Sequence, residues 1–153
     1  MEAKINLFSL AKGFTDGLFK TGAYLGKTTL DKKLLELINY KVSQMNGCAY
    51  CLDMHSKDAA VLGEEAMRLH TIAAFEECPY YSDAEKAALR FAESLTRAQA
   101  PEHLVEDLEQ YFSTQEIADL CLAIATINTW NRLNLVFKPV PGTYKPGLFA
   151  ATN

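Results

Sequence analysis

The sequence predicts an all-α protein: one domain spanning residues 1–153, folded as a bundle of six to seven helices. Apolar residues recur at three- and four-residue intervals through most of the middle of the chain, which is the spacing of a buried helix face. Two capping-box sequences mark helix starts, and no stretch alternates convincingly with a period of two residues. No repeat or flexible linker divides the chain, whose length suits a single domain.

The first half of the chain predicts three helices. The first covers about residues 30–45, and Asn46-Gly47 then interrupts it with a pair that readily adopts positive φ. A second helix is expected over about 48–62 and a third over about 64–76. The buried face of the first helix is formed by Leu30, Leu34, Leu37, Ile38, Val42 and Met45.

Capping boxes predict two of the three helices in the second half. Ser82-Asp-Ala-Glu85 opens a helix through about Arg97, and Ser113-Thr-Gln-Glu116 opens a long helix to about Phe137. Between them, Pro101 suits the first turn of a helix that reaches about Phe112. Residues 138–153 hold three of the five prolines and are expected to form an irregular tail.

Charge and hydropathy argue against nucleic-acid and membrane partners. The net charge of −4 gives no electrostatic footprint for nucleic acid or for an anionic membrane. The longest apolar stretch, residues 117–137, carries one acidic side chain, one basic side chain and three asparagines, which a bilayer span rarely tolerates. The N-terminus lacks the pattern of a signal peptide, so we expect a soluble, cytoplasmic protein whose thiols are held reduced.

Cys48, Cys51 and His55 form the motif most indicative of chemistry. The two cysteines are three positions apart, so on a helix they lie close enough for a disulfide, and His55 follows four residues later on the same face. Both cysteines are expected in the first turn, where free amide groups and the helix dipole favour a thiolate. A thiolate is what a nucleophilic cysteine needs at neutral pH.

Glu36 is expected to join this group because of the interruption at Asn46-Gly47. Glu36 lies ten residues before the interruption and His55 eight residues after it, so an antiparallel hairpin places them at similar height. The carboxylate could then orient the imidazole and stabilise its protonated form. In one unbroken helix, Glu36 would lie about 18 Å from Cys48, too far to contribute.

The whole pattern resembles the signature of the AhpD-like alkylhydroperoxidases, within the carboxymuconolactone decarboxylase superfamily. It consists of Glu36, eleven intervening residues, Cys48-x-x-Cys51, and His55 after three more. Glu77-Cys-Pro-Tyr-Tyr-Ser82-Asp-Ala-Glu85 and the region from Thr126 to Lys145 also look like parts of that family. The resemblance covers about residues 30–145 and is far more specific than a bare CxxC.

The resemblance implies a helical fold, assembly into trimers or hexamers, and reduction of hydroperoxides through the cysteine pair. On matching positions, Cys51 is the sulfur that attacks peroxide, Cys48 the resolving thiol, His55 the base and Glu36 its partner. No bound cofactor is implied, and a dithiol donor such as a lipoyl-bearing protein recharges the enzyme. Some members carry a second histidine between the cysteines where this chain has Tyr50, so a proton relay through that histidine cannot operate unchanged.

Four other interpretations remain open from the sequence. Cys48, Cys51, His55 and Glu36 could together ligate Zn²⁺, although no second Cys/His pair follows at the usual spacing. The cysteines could also be inert core residues. The same cysteines could pass electrons to a partner as a dithiol relay or redox sensor without peroxidase turnover. A lactone decarboxylase of the same superfamily is the fourth alternative, but it would not need two cysteines.

Overall fold

The computed structural model describes residues 2–149, and within them it is all-helical, as the sequence predicts. Seven α-helices occur in this range, with short 3₁₀ turns at Leu7–Ser9 and Ile72–Ala74. No helix in residues 2–149 is long and apolar enough to cross a membrane. The helices are α1 Asp16–Leu25, α2 Lys32–Asn46, α3 Ala49–Val61, α4 Ala66–Thr71, α5 Asp83–Thr96, α6 Glu102–Glu109 and α7 Thr114–Phe137.

Side-chain caps fix most of the helix starts where the sequence places them. Asp31 caps α2 by accepting a hydrogen bond from the Leu34 amide at 3.0 Å. Ser82 and Ser113 each form a complete capping box, at the starts of α5 and α7. These reciprocal bonds satisfy amides that a helix start leaves without partners, so both starts fall where the capping sequences predict them.

Two parts of the chain differ from the sequence-based expectation. No pattern predicted α1, whose ten residues include Gly17 and Gly22, both poor helix formers. Packing stabilises it instead, because Leu25 is buried in the main core and the Phe19 ring lies 5.5 Å from the Trp130 ring. The helix expected over 64–76 is shorter, since α4 gives way to the 3₁₀ turn. The predicted tail is irregular over 138–149, and residues 150–153 lie outside the described range.

Helix α2 is the centre of the bundle and packs against α3, α5 and α7. One apolar cluster joins it to α5, α6 and α7, and a second joins it to α3, the 3₁₀ turn and α5. Helix α3 runs antiparallel to α2: Lys33, near the start of α2, donates to the carbonyl of Gly63, just beyond the end of α3, at 3.0 Å. The hairpin expected from the sequence is therefore present.

Candidate functional site

The turn between α2 and α3 is a Schellman motif built on Gly47. Gly47 adopts φ +69°, and its amide donates to the Gln44 carbonyl at 3.2 Å. The Cys48 amide donates to the Ser43 carbonyl at 3.0 Å, which completes the motif. Glycine adopts this left-handed backbone conformation at little cost in free energy. The turn places Cys48 at the N-cap of α3 and Cys51 in its first turn.

Cys48 and Cys51 are joined by a disulfide, with their Cα atoms 5.3 Å apart. The Cys51 amide, at the N-terminus of α3, donates to the Cys48 sulfur at 3.4 Å. Both residues are buried, at 2% and 0% exposure respectively. The pair therefore lies inside the protein and in its oxidised form.

Glu36 and His55 meet across the hairpin, where the antiparallel packing of α2 and α3 places them at the same height. Nδ1 of His55 lies 2.8 Å from Oε2 of Glu36. Nε2 of His55 is buried and has no hydrogen-bond partner among the described residues, the Cys51 sulfur included. Glu36 thus orients the ring and leaves the second nitrogen available to an incoming group.

Asp58 and Tyr144 extend this pair, and nothing in the sequence indicated either. One ligating atom each from Glu36, His55 and Asp58 lies within 4.8 Å of the others. Tyr144 donates its hydroxyl to the two carboxylate oxygens of Asp58, at 3.0 Å each. Burial raises the pKa of Asp58, the Tyr144 hydrogen bond opposes that shift, and the charge of Glu36 adds to it. Burial and the bond to Asp58 raise the pKa of Tyr144, which keeps its proton.

The donor set Glu36, His55 and Asp58 is the group in the described chain that comes nearest to a metal site. It differs from the set considered from the sequence, because the two sulfurs are bonded to each other and Asp58 takes their place. Each of the three side chains already has a protein partner: Glu36 and His55 pair, and Asp58 binds Tyr144. Those partners explain the cluster without a cation.

An asparagine network fastens the turn to α7. The side-chain amide of Asn46 donates to the side-chain oxygens of Asn128 and Asn131, at 2.9 Å each. Asn131, fully buried, donates in turn to Ser43 at 3.0 Å. One turn further along α7, Asn134 donates to the Cys51 sulfur at 3.4 Å. A repeat of asparagines every three residues in an apolar helix was the available sequence signal for this contact.

A cavity of about 760 Å³ adjoins the cluster. Glu36, His55, Asp58, Tyr50 and Asn134 form a polar part of its wall. Burial and the charge of Asp53 raise the pKa of Tyr50, so its hydroxyl stays protonated at neutral pH. Asn134 connects this wall to Cys51, because it lines the cavity and its side-chain amide lies 3.4 Å from the Cys51 sulfur. The rest of the wall is largely apolar and includes Ile5, Leu7, Leu18, Phe19, Trp130, Val140, Leu148 and Phe149.

Both ends of the described chain line this cavity. The amides of Lys4 and Ile5 donate to the Phe137 carbonyl at 2.8 and 3.1 Å, which holds the N-terminal segment across the end of α7. The C-terminal segment is held to α3 through Asp53, which accepts from the Gly142 amide at 3.0 Å. Lys57 donates to both Asp53 and the Tyr144 carbonyl, at 2.8 and 3.0 Å. The irregular tail is therefore part of the site.

Comparison with known proteins identifies the family to which the chain is similar. Residues 10–94 match the model of the Carboxymuconolactone decarboxylase family. An uncharacterised protein of Bacillus subtilis, YdfG, is 33% identical over 138 residues, 88% of this chain and 94% of that protein. Alkyl hydroperoxide reductase AhpD of Mycobacteroides abscessus is 33% identical over 81 residues, 47% of this chain and 46% of that protein.

A solved structure shares the overall fold. The protein ATU0492 of Agrobacterium tumefaciens, of unknown function and provisionally described as the antioxidant defence protein AhpD, superposes with a TM-score of 0.87. It is 29% identical in sequence, and the superposition covers 94% of this chain and 100% of that one. The AhpD-like fold predicted from the sequence is thus confirmed.

Proposed function

This chain belongs to the carboxymuconolactone decarboxylase family, and we propose that it is a thiol-dependent peroxidase that reduces organic hydroperoxides. The observation that carries the proposal is the Cys48–Cys51 disulfide, with the Glu36–His55 pair on the same helical hairpin and a cavity that this pair lines. A helix N-terminus favours the thiolate that peroxide chemistry requires. The similarity to an alkyl hydroperoxide reductase over 81 residues supports the same activity.

The proposed reaction runs through two sulfur steps. The Cys51 thiolate attacks the terminal oxygen of ROOH, breaks the O–O bond and becomes a sulfenic acid, while RO⁻ takes a proton and leaves as ROH. The Cys48 thiol then attacks the sulfenic sulfur, which forms the disulfide and releases water. His55, held by Glu36, is the proposed proton donor and acceptor, and its Nε2 has no hydrogen-bond partner within residues 2–149.

The cavity favours a hydroperoxide with an apolar body. A volume of about 760 Å³ lies within the range of sites for drug-sized molecules and greatly exceeds the needs of hydrogen peroxide. The wall away from the polar cluster includes Phe19, Trp130 and Phe149, which suit an alkyl or aromatic group. We therefore propose that the apolar group fills the cavity while the peroxide end reaches the region of His55 and Asn134.

The proposed reductant is a protein that carries a dithiol on a long, narrow side chain, such as a lipoyl-bearing protein. Both sulfurs are buried, so a flat protein surface cannot reach them in this arrangement. Two thiols of the donor lose two electrons and two protons to the disulfide, which returns Cys48 and Cys51 to the reduced form. Such donors are kept reduced in the cytoplasm, where we place the protein.

A homo-oligomer, a trimer or hexamer, is also proposed. Leu122, Leu135 and Val136 on α7 are exposed in the single chain, at 38%, 44% and 60%. Exposed apolar side chains on a surface helix are candidates for a protein–protein contact. Gel filtration with light scattering measures the assembly directly.

Steady-state consumption of cumene hydroperoxide with dihydrolipoamide tests the peroxidase proposal. We expect turnover by the wild type and only background consumption by Cys51→Ser. Cys121→Ser is the matched control, because Cys121 is a free and exposed cysteine on α7, and it should retain wild-type turnover. Equal, slow consumption by the wild type and Cys51→Ser would overturn the proposal. Disulfide exchange with dihydrolipoamide in the absence of peroxide turnover would instead indicate a dithiol relay.

A further inference from the structure

Helix α7 directs three asparagines, three residues apart, towards the α2–α3 hairpin. The first two, Asn128 and Asn131, bind Asn46, and these bonds hold the turn that precedes Cys48. Asn134 makes a different contact, because its amide points at a sulfur. Stabilisation of the turn therefore explains Asn128 and Asn131 but does not explain Asn134.

The Asn134 contact gains strength when the disulfide is opened. The Nδ2 atom lies 3.4 Å from the Cys51 sulfur. A neutral disulfide sulfur is a weak acceptor, whereas a thiolate is a charged acceptor and holds an N–H donor more strongly. Cys51 is fully buried, so bulk water cannot provide this stabilisation. The amide side chain matters most for the reduced protein.

The two sulfurs are served by different donors. The Cys48 sulfur accepts from the backbone amide of Cys51, the arrangement found wherever a cysteine caps a helix. The Cys51 sulfur has a side-chain donor from another helix. Without Asn134, the helix N-terminus would favour Cys48 as the thiolate, because Cys48 is the capping residue.

We propose that Asn134 is a catalytic residue that stabilises the thiolate of reduced Cys51 and so makes Cys51, rather than Cys48, the more nucleophilic sulfur. The inference deepens the proposed function, on which its place in catalysis rests. The hydrogen bond itself acts on the dithiol before any peroxide is present. Asn134 lines the cavity, so it connects the Cys51 sulfur to the site of the proposed substrate.

Competitive alkylation of the reduced protein tests this inference without peroxide. Limiting iodoacetamide is added at pH 7, and the ratio of labelled Cys51 to labelled Cys48 is measured by peptide mass spectrometry. A hydrogen bond to a charged group changes such an equilibrium by roughly tenfold, so Asn134→Leu should lower the ratio by about tenfold. Leucine is close to asparagine in size, and Asn134→Gln, which keeps a donor, should recover part of the ratio.

The redox equilibrium with dithiothreitol gives a second readout. Loss of thiolate stabilisation should make the Asn134→Leu disulfide about tenfold harder to reduce, equivalent to about 30 mV. Asn128→Leu is the matched control: the same change six residues earlier on α7 should lower stability and leave both readouts within about twofold of wild type. If Asn134→Leu does not fold, Asn134→Ala removes the donor without apolar bulk and should shift both readouts in the same direction.

Three results would overturn the inference. They are an unchanged labelling ratio in Asn134→Leu and Asn134→Ala, an equal shift in Asn128→Leu, and a shift of the redox equilibrium in the opposite direction. These outcomes are separate from the peroxidase proposal. If the wild type fails to turn over peroxide but the labelling ratio shifts as expected, the proposed function fails and the role of Asn134 stands.

Discussion

Tyr144, in the irregular C-terminal segment, donates its hydroxyl to both carboxylate oxygens of Asp58 on α3, at 3.0 Å each. Asp58 in turn lies beside Glu36 and His55. This relationship links the C-terminal part of the cavity wall to the Glu36–His55 pair. The C-terminal segment therefore affects two properties: the stability of the fold and the protonation of Asp58.

Replacing Tyr144 with phenylalanine should lower the free energy of unfolding by about 1 kcal/mol, because a half-buried carboxylate loses its hydroxyl donor while the ring stays in place. Urea unfolding followed by circular dichroism measures the change. Tyr80→Phe is the control, since Tyr80 is exposed, and it should leave stability unchanged. Equal stability of Tyr144→Phe and wild type would show that the bond carries no net energy.

Asp58 should make stability decrease with rising pH. Its pKa is raised in the folded state, mainly by burial, above the ordinary value of 3.8. Between that value and the raised one, the folded protein binds more protons than the unfolded chain, so its stability falls as pH rises. Asp58→Asn removes this contribution. The wild-type minus Asp58→Asn difference in unfolding free energy should therefore decline with pH across this window, and a difference that rises would contradict the sign.

Glu36→Gln should lower kcat/KM for cumene hydroperoxide by about 10²-fold or more, because general acid–base assistance contributes at least that much. Glutamine can still hydrogen-bond His55 at Nδ1 but lacks the negative charge. The peroxide-consumption assay with dihydrolipoamide reports the ratio. Glu102→Gln, an exposed change in the first turn of α6, should behave as wild type. An undiminished kcat/KM would remove Glu36 from the mechanism.

Gly47→Ala should destabilise the protein by about 1 kcal/mol through backbone strain alone. A Cβ at Gly47 would meet no atom within 4 Å, yet φ is +69°, a conformation that alanine adopts reluctantly. Gly17→Ala in α1 is the opposite case: there is equal space and no positive φ, so it should stabilise by about 0.5 kcal/mol. Urea midpoints of the two variants should move in opposite directions. If both midpoints move in the same direction, side-chain contacts rather than backbone conformation determine the change in stability.

The sequence predicted those parts of the site that depend on helical periodicity. Glu36 and His55 could be paired because the Asn46-Gly47 interruption fixes where one helix ends and the next begins. From that point, the spacing along two antiparallel helices determines which side chains share a height. The cysteine pair follows from the same argument at shorter range.

The rest of the cluster depends on tertiary packing, which periodicity does not encode. Asn134 is remote from the hairpin in sequence, and its contact requires the crossing position of α7. Tyr144 lies in a segment without regular structure, where no repeat fixes the direction of a side chain. Helix α1 was missed for a related reason, since its glycines weaken the local signal and burial against α7 compensates.

The two ends of the described chain form much of the cavity wall, whereas the Cys48–Cys51 disulfide and the Glu36–His55 pair lie on the central hairpin. Substitutions in the N-terminal segment should therefore reshape the cavity while Glu36, His55 and the two sulfurs keep their positions. The same separation gives protein engineers a defined target: we expect randomisation of residues 3–7, most of which line the cavity and whose Lys4 and Ile5 amides bond to the Phe137 carbonyl, to alter selectivity.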